Sequence, residues 1–409
     1  MSLIQEHEKL SPTQGFGTMT SIPHVSDAPS HESQLILILD DDETVTEGLA
    51  AGLEREGRTL ITCNDVESAE LIVEHMHPSH IVADVCISGP FGYEGLDFIR
   101  FAKQHAPESR IILISGNAPE ALQREASERG AVAFLQKPFE VRALDATIDM
   151  LVCSGISASG GSDRVIRMTL LDDIVRSDAL RPQFQPVMRL GVQDATAFGY
   201  ESLTRFRTDS PLRDPDMLFK YASRKHRVVE LELACIARAL HDGAPLAQKA
   251  LLFLNVHPDV FASGASFRDT IVSQAHQAGV ALDRLVLEIT EQGSLARTPA
   301  VLKTITDLRA KGIRFAFDDV GVAYSHLPLM DEVRPSFLKV SQHFGTAFEK
   351  DPTRMKIVMN LLSLANDFSC ALILEGIEDE STAMMAAHLG IPLGQGYFFG
   401  RPADPSTFV

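Results

Sequence analysis

Residues 314–321 read RFAFDDVG: a short apolar run that ends in two adjacent carboxylates, Asp318 and Asp319, with a valine and then a glycine after them. Outward from this stretch the same grammar recurs in both directions. Apolar runs end in GYESLTR (199–205), FLNVHP (253–258), LEITE (287–291), FLKV (337–340), LEGIE (374–378) and GQGYFFGRP (394–402). Each is strand-length, and each carries an acidic, amide or lysine side chain near its end. Eight such runs (182–190, 197–206, 251–256, 285–290, 314–320, 337–340, 371–377 and 396–399) alternate with helical patterns inside residues 169–409. That alternation predicts a (β/α)8 barrel of the TIM type. The segment 191–196 joining the first two runs is too short for a helical crossover, so one strand is expected to run antiparallel.

The N-terminal half shows a second βα series. Five apolar runs (35–39, 59–63, 80–85, 110–115 and 132–136) are separated by helical spacings such as Val45, Leu49 and Leu53. They predict a doubly wound, flavodoxin-like parallel sheet. Residues 1–33, rich in Ser, Pro, His and Glu, read as a disordered tail. The small polar stretch SGISASGGSD (154–163) marks a linker, drawn here over 153–168. The expected organisation is therefore an α/β chain with a first domain at 34–152 and a barrel domain at 169–409.

Composition narrows the chemistry. The 409 residues carry a formal charge of −18, which argues against a nucleic-acid backbone as partner. No basic helix-turn-helix follows the first domain, so no DNA contact is expected. The five cysteines (Cys63, Cys86, Cys153, Cys235, Cys370) are scattered and form no CxxC pair, the pattern of reduced thiols. No run approaches the length of a membrane span and no secretory leader pattern opens the chain, so a cytoplasmic protein without membrane contact is expected.

Strand ends of a parallel sheet or barrel converge on one edge, so the residues there share a site. In the first domain these are Asp40 and Asp41 after the first strand, Asp84 after the third, Ser115 after the fourth and Lys137 after the fifth. Three carboxylates suit a hard cation such as Mg2+, with lysine and hydroxyl holding a phosphoryl group on Asp84. A lone Asp after a strand is usually a turn or cap residue; it is the joint, ordered occurrence that carries meaning. In the second domain the set is Glu201, Asn255, Glu288, Glu291, Asp318, Asp319, Lys339, Glu375, Glu378 and Gln395. So many oxygen ligands in one mouth call for divalent cations, the arrangement suited to phosphoryl displacement.

The first set resembles the receiver domain of two-component response regulators. The resemblance implies that Asp40 and Asp41 hold Mg2+, that Asp84 accepts a phosphoryl group from a sensor histidine kinase, and that Ser115 and Lys137 contact it. Phe134 takes the aromatic switch position. The loop after Asp84, VCISGPFGYE (85–94), is longer than usual. The second set resembles the EAL family of cyclic di-GMP phosphodiesterases, with the signature tripeptide Glu201-Ser202-Leu203 and Arg205 after it. The resemblance implies two Mg2+ or Mn2+ ions held by Glu201, Asn255, Glu288, Asp318, Asp319 and Glu378. It implies Lys339 and Glu375 beside the attacking water, with Glu375 as general base, and Glu291 steadying the loop after Asp319. Leu203, Arg205 and Gln395 would meet substrate, the product would be linear pGpG, and the chain would be a homodimer. The loop DDVGVAYSH (318–326) departs from the family, with Val320, Ala323 and His326 replacing an aromatic, a glycine and a serine; Ser341 stands where Asp is frequent. These departures leave a second expectation open, a weak or inactive domain that binds cyclic di-GMP or a partner.

Overall fold

The structure is a computed structural model, and it describes residues 34–87, 94–116, 119–151, 164–168, 171–176, 179–192, 196–208, 210–289, 298–321 and 329–409. The expected tail (1–33), most of the linker, the centre of the loop after Asp84, Glu291 and residues 322–326 of the departing loop lie outside them.

The first sheet holds β1 (Gln34–Leu39), β2 (Arg58–Cys63), β3 (His80–Asp84), β4 (Arg110–Ser115), β5 (Ala133–Gln136) and β6 (Arg164–Arg167), in the order β5-β4-β3-β1-β2-β6. All its pairings are parallel. Its strands β1 to β4 are buried on both faces, as βαβ crossovers require, while the edge strands β5 and β6 are partly exposed. Ile36 and Ile38 pack under α1 (Glu43–Leu53) and α5 (Val141–Met150), whereas Leu35, Leu37 and Leu39 face α2 (Val66–Met76) and α3 (Glu94–His105). Helix α4 (Glu120–Arg129) precedes β5. The expected linker is corrected at its end: 164–167 form an edge strand in register with β2, where Ile166 covers apolar surface that β2 leaves open.

The barrel is closed by β7 (Gln183–Arg189), β8 (Ala197–Leu203), β9 (Leu251–Val256), β10 (Leu285–Ile289), β11 (Arg314–Val320), β12 (Phe337–Val340), β13 (Ala371–Leu374) and β14 (Leu393–Gln395). Strand β7 runs antiparallel to both neighbours, the reversal that the short 191–196 connection predicts. The expected last strand at 396–399 lies too far along the chain. Gly396 passes so close to the Ile377 backbone that a Cβ would sit 2.1 Å from its carbonyl oxygen. The chain then turns through bonds from Phe399 and Gly400 to the Gly396 carbonyl. Tyr397 and Phe398 are thereby sent to the surface rather than into the barrel core.

An apolar plug of Val187, Leu251, Phe253, Val286, Ala316, Phe337, Ile373 and Leu393 fills the lower barrel. Side chains alternate along a strand, so the residue two positions on faces the same interior one layer higher. From Phe253, Val286, Ala316, Phe337, Ile373 and Leu393 that step leads to Asn255, Glu288, Asp318, Lys339, Glu375 and Gln395. The polar site is the next layer above the plug.

The two halves share one hydrophobic cluster. Receiver-side Leu71, Ile72 and Phe98 join Leu171 and Ile174 of α6 (Leu171–Arg176), and Leu218 and Tyr221 of α7 (Pro215–Arg224). Leu231 and Cys235 of α8 (Val228–Ala247) complete it.

Candidate active site at the barrel mouth

Lys339 occupies the centre of the upper layer, 1% exposed. Its ammonium lies 3.1 Å from Glu201, 3.1 Å from Glu288, 3.2 Å from Asp318 and 2.9 Å from Glu375. Four carboxylates thus share one cation. Asn255 donates to Glu201 Oε1 at 3.0 Å, and Gln395 donates to Glu201 Oε2 at 2.6 Å. Around this group opens a cavity of about 350 Å³, also lined by Leu203, Arg205, Asp319, Glu378 and Tyr397.

Two adjacent aspartates reach one cavity because β11 is irregular. Regular alternation would send Asp318 and Asp319 to opposite faces. The β11–β12 register shifts between Phe317 and Val320, and Asp319 adopts φ +53°, so its carboxylate turns back to the mouth. A second close approach sets Glu375. A Cβ on Gly345 would lie 1.8 Å from the Glu375 carbonyl oxygen, so only glycine lets the short helix Gln342–Gly345 pack there. Ser341 caps that helix by accepting from the His343 backbone amide at 3.4 Å.

Burial and crowding govern the charges. Burial raises Glu288 well above the carboxylate range, Lys339 offsets this only in part, and repulsion from Glu201, Asp318 and Glu375 adds to it. Burial likewise pushes Glu375 up to about 8 against the pull of Lys339. At Glu201 burial also acts upward, but Lys339 and the amides of Gln395 and Asn255 outweigh it and hold the group low. Burial opposes the charge on Lys339, yet its four carboxylates hold the ammonium far above its usual range. The donor set fits a hard divalent cation. Glu201, Glu288 and Asp318 each offer an oxygen within 4.8 Å of the others, and buried Glu288 Oε1 has no hydrogen-bond partner.

Of the residues expected from sequence, Glu201, Asn255, Glu288, Asp318, Lys339, Glu375 and Gln395 come together in one polar layer. Leu203, Arg205, Asp319 and Glu378 line the rim, and Glu378 is exposed. Gln185 was missed: it accepts from Gln395 Nε2 at 3.1 Å and lines the cavity. Its signal was the same two-residue step from Val187, taken backwards because β7 is reversed.

The receiver residues also converge. Lys137 Nζ lies 2.7 Å from Asp40 and 2.6 Å from Asp84, both buried carboxylates. Burial raises Asp40 more than Lys137 lowers it. Ser115 is buried at the end of β4, Asp41 stands exposed beside Asp40, and Phe134 packs against the receiver core from β5.

The sequence profile described as "EAL domain" matches residues 168–402, more than half of the chain. The profile described as "Response regulator receiver domain" matches residues 36–149. RocR of Pseudomonas aeruginosa, named a cyclic di-GMP phosphodiesterase, is 24% identical over 363 residues, 86% of this chain and 91% of that protein. TpdA of Vibrio parahaemolyticus, which carries the same activity in its name, is 24% identical over 200 residues, 49% of this chain but only 33% of that protein. Among solved structures, the cAMP-bound EAL enzyme Bd1971 aligns with a TM-score of 0.52 at 22% identity, covering 58% of this chain and 67% of that one. The PaMucR phosphodiesterase in complex with c-di-GMP aligns with a TM-score of 0.50 at 22% identity, covering 56% of this chain and 100% of that one. Both likenesses bear on the fold. With its acidic barrel mouth and its cluster of Asp40, Asp84 and Lys137, the chain belongs to the EAL domain family and carries a response regulator receiver domain ahead of the barrel.

Proposed function

We propose that this protein hydrolyses cyclic di-GMP to linear pGpG, and that phosphorylation of its receiver regulates the reaction. The observation that carries the reading is the convergence of Glu201, Glu288, Asp318 and Glu375 on Lys339 at the mouth of an EAL barrel. Glu201, Asn255, Glu288 and Asp318, with Asp319 and Glu378 at the rim, would hold two Mg2+ or Mn2+ ions. Such ions supply Lewis-acid stabilisation of the phosphate and of the attacking oxygen. Glu375 accepts the proton of the attacking water while Lys339 keeps its carboxylate oriented. The water oxygen bonds to phosphorus, the P–O3′ bond breaks, and the 3′ oxygen leaves as an alkoxide that takes up a proton from solvent, while Glu375 returns the proton it accepted to solvent. Arg205 at the rim offers its guanidinium to a substrate phosphate, with Leu203 against the nucleoside and Gln395 fixing Glu201. Glu291, after β10, is assigned to steadying the loop beyond Asp319.

In the receiver, Asp84 takes a phosphoryl group from a sensor histidine kinase, Asp40 and Asp41 would hold Mg2+, and Lys137 and Ser115 meet the phosphoryl oxygens. We take the working unit to be a homodimer. Among the described residues no helix is long and apolar enough to cross a membrane.

The deciding assay incubates the full chain with cyclic di-GMP and Mg2+ or Mn2+ and follows pGpG. Turnover that disappears in Asp318→Asn supports the reading. Tight binding with intact substrate would replace it with that of a cyclic di-GMP-binding module.

A further inference from the structure

Helices α2 and α7 join the receiver to the barrel through charges of opposite sign. Arg224 binds Glu70 at 2.9 Å and Glu74 at 2.6 Å; Lys225 binds Glu67 at 3.0 Å and Asp65 at 3.2 Å. Lys220 donates to His75 Nε2 at 2.7 Å, and the Tyr221 hydroxyl donates to Asp65 at 3.5 Å. Partly exposed ion pairs of this kind add little stability singly. Their placement matters more.

Asp65 is the N-cap of α2, accepting from the Ser68 amide at 2.8 Å. The residue before it, Asn64, donates to the Asp40 carbonyl at 2.9 Å. Asp40 in turn shares Lys137 with Asp84. One peptide bond therefore separates a residue tied to the phosphorylation pocket from a residue tied to α7. The next face of α7 carries Asp216, Phe219, Lys220 and Ser223 at helical spacing. These side chains wall a second cavity, of about 590 Å³, that reaches Arg205, Asn255 and Asp319. Lys220 belongs to both surfaces.

We infer that Asn64 and Asp65 on the receiver, with Tyr221, Arg224 and Lys225 on α7, are positioning residues through which the state of Asp84 sets the wall of this second cavity, which meets the active-site cavity at Leu203, Arg205 and Asp319. The inference rests on the receiver reading proposed above. A phosphoryl group on Asp84 adds acceptor oxygens that compete with Asp40 for Lys137. Asp40 then shifts, Asn64 follows, and the start of α2 moves against α7. Because α7 walls a cavity that shares Leu203 and Arg205 with the active site and contributes no member of the Lys339 cluster, the effect falls on substrate affinity more than on the chemical step.

The test uses the full chain with Mg2+ and acetyl phosphate, which transfers its phosphoryl group to the Asp84 carboxylate and releases acetate. Uptake is read by intact mass, with Asp84→Asn as control. Two signals follow: backbone hydrogen exchange over residues 215–224, and KM and kcat for cyclic di-GMP. The expected result is a changed exchange rate in α7 and a KM shift of about fivefold or more, with kcat moving less. In Asn64→Ala and in the Arg224→Ala/Lys225→Ala double variant, phosphoryl uptake persists, but both responses shrink to within about twofold of the unphosphorylated protein. Phosphorylation without any change in α7 exchange overturns the inference, as does a full KM response in the double variant. Failure of Asp84 to take up phosphoryl overturns the receiver reading, and the inference with it; the exchange signal does not depend on turnover.

Discussion

Lys339 is a fully buried cation ringed by carboxylates, and its removal isolates them. Breaking a buried pair on one side leaves an uncompensated charge. Lys339→Met is expected to destabilise the cation-free protein by about 3–5 kcal/mol in urea denaturation. Divalent cations act in the opposite direction, since a ligand that binds only the folded state stabilises it by mass action. Mg2+ or Mn2+ should raise the melting temperature, EDTA should reverse this, and Asp318→Asn should lose the part of the response that the barrel supplies, leaving that of the receiver site at Asp40 and Asp41. Glu232 on α8 offers a separate test. Burial pushes its pKa up to about 8, against a bond from the His257 backbone that works in the other direction. The folded state therefore holds this proton more tightly than the unfolded chain does. The contribution is complete below the unfolded pKa of 4.5, is lost as pH climbs towards 8, and changes no further above it. Glu232→Gln should flatten the fall in unfolding free energy between pH 5 and pH 9, by a few kcal/mol at most, roughly.

At the scale of elements, the mouth depends on two departures from ideal geometry: the irregular end of β11 and the tight seat of the helix Gln342–Gly345 against Glu375. Gly345→Ala pushes a methyl group into the Glu375 carbonyl. The backbone must move, and displacements of about 1 Å at reacting groups cost on the order of a hundredfold. The expected outcome is a kcat reduced by about ten- to a hundredfold with KM changed much less, measured on protein whose circular dichroism matches the parent. An unchanged kcat would remove Glu375 from the reacting group. The edge strand β6 matters in a different way: it ties residues 164–167 to β2 and so fixes where α6 and the barrel begin.

At the scale of the whole molecule, receiver and barrel are joined by a continuous apolar cluster rather than by charge alone. Leu171, Ile174, Leu218 and Tyr221 are buried in one cluster with residues of α2 and α3. A fragment of residues 169–409 would expose part of this surface, at roughly 25 cal/mol per Å² of apolar area returned to water. It should melt below the full chain and be cut faster by protease within 171–176 and 215–224. Calorimetry of the full chain should show receiver and barrel unfolding in one transition; two resolved transitions would mean that the shared cluster does not couple them.

Much of this was legible in the sequence. Parallel strands deliver their C-terminal ends to one rim, so a polar residue at the end of each apolar run announces a common site. Glu201, Asn255, Glu288, Asp318, Lys339 and Glu375 were found that way, Gln395 was found although its strand was expected one step too late, and the antiparallel β7 followed from the length of its connection. Tertiary structure alone decided the rest. Gln185 joins the site from a reversed strand, so its position along the chain gives the wrong end. Asp319 shares a cavity with Asp318 because a register shift overrides alternation. Residues 164–167 become strand because β2 has an open edge. The acidic face of α2 and the basic face of α7 each read alone as solvated helix surface, since charge complementarity between distant segments exists only once packing brings them together.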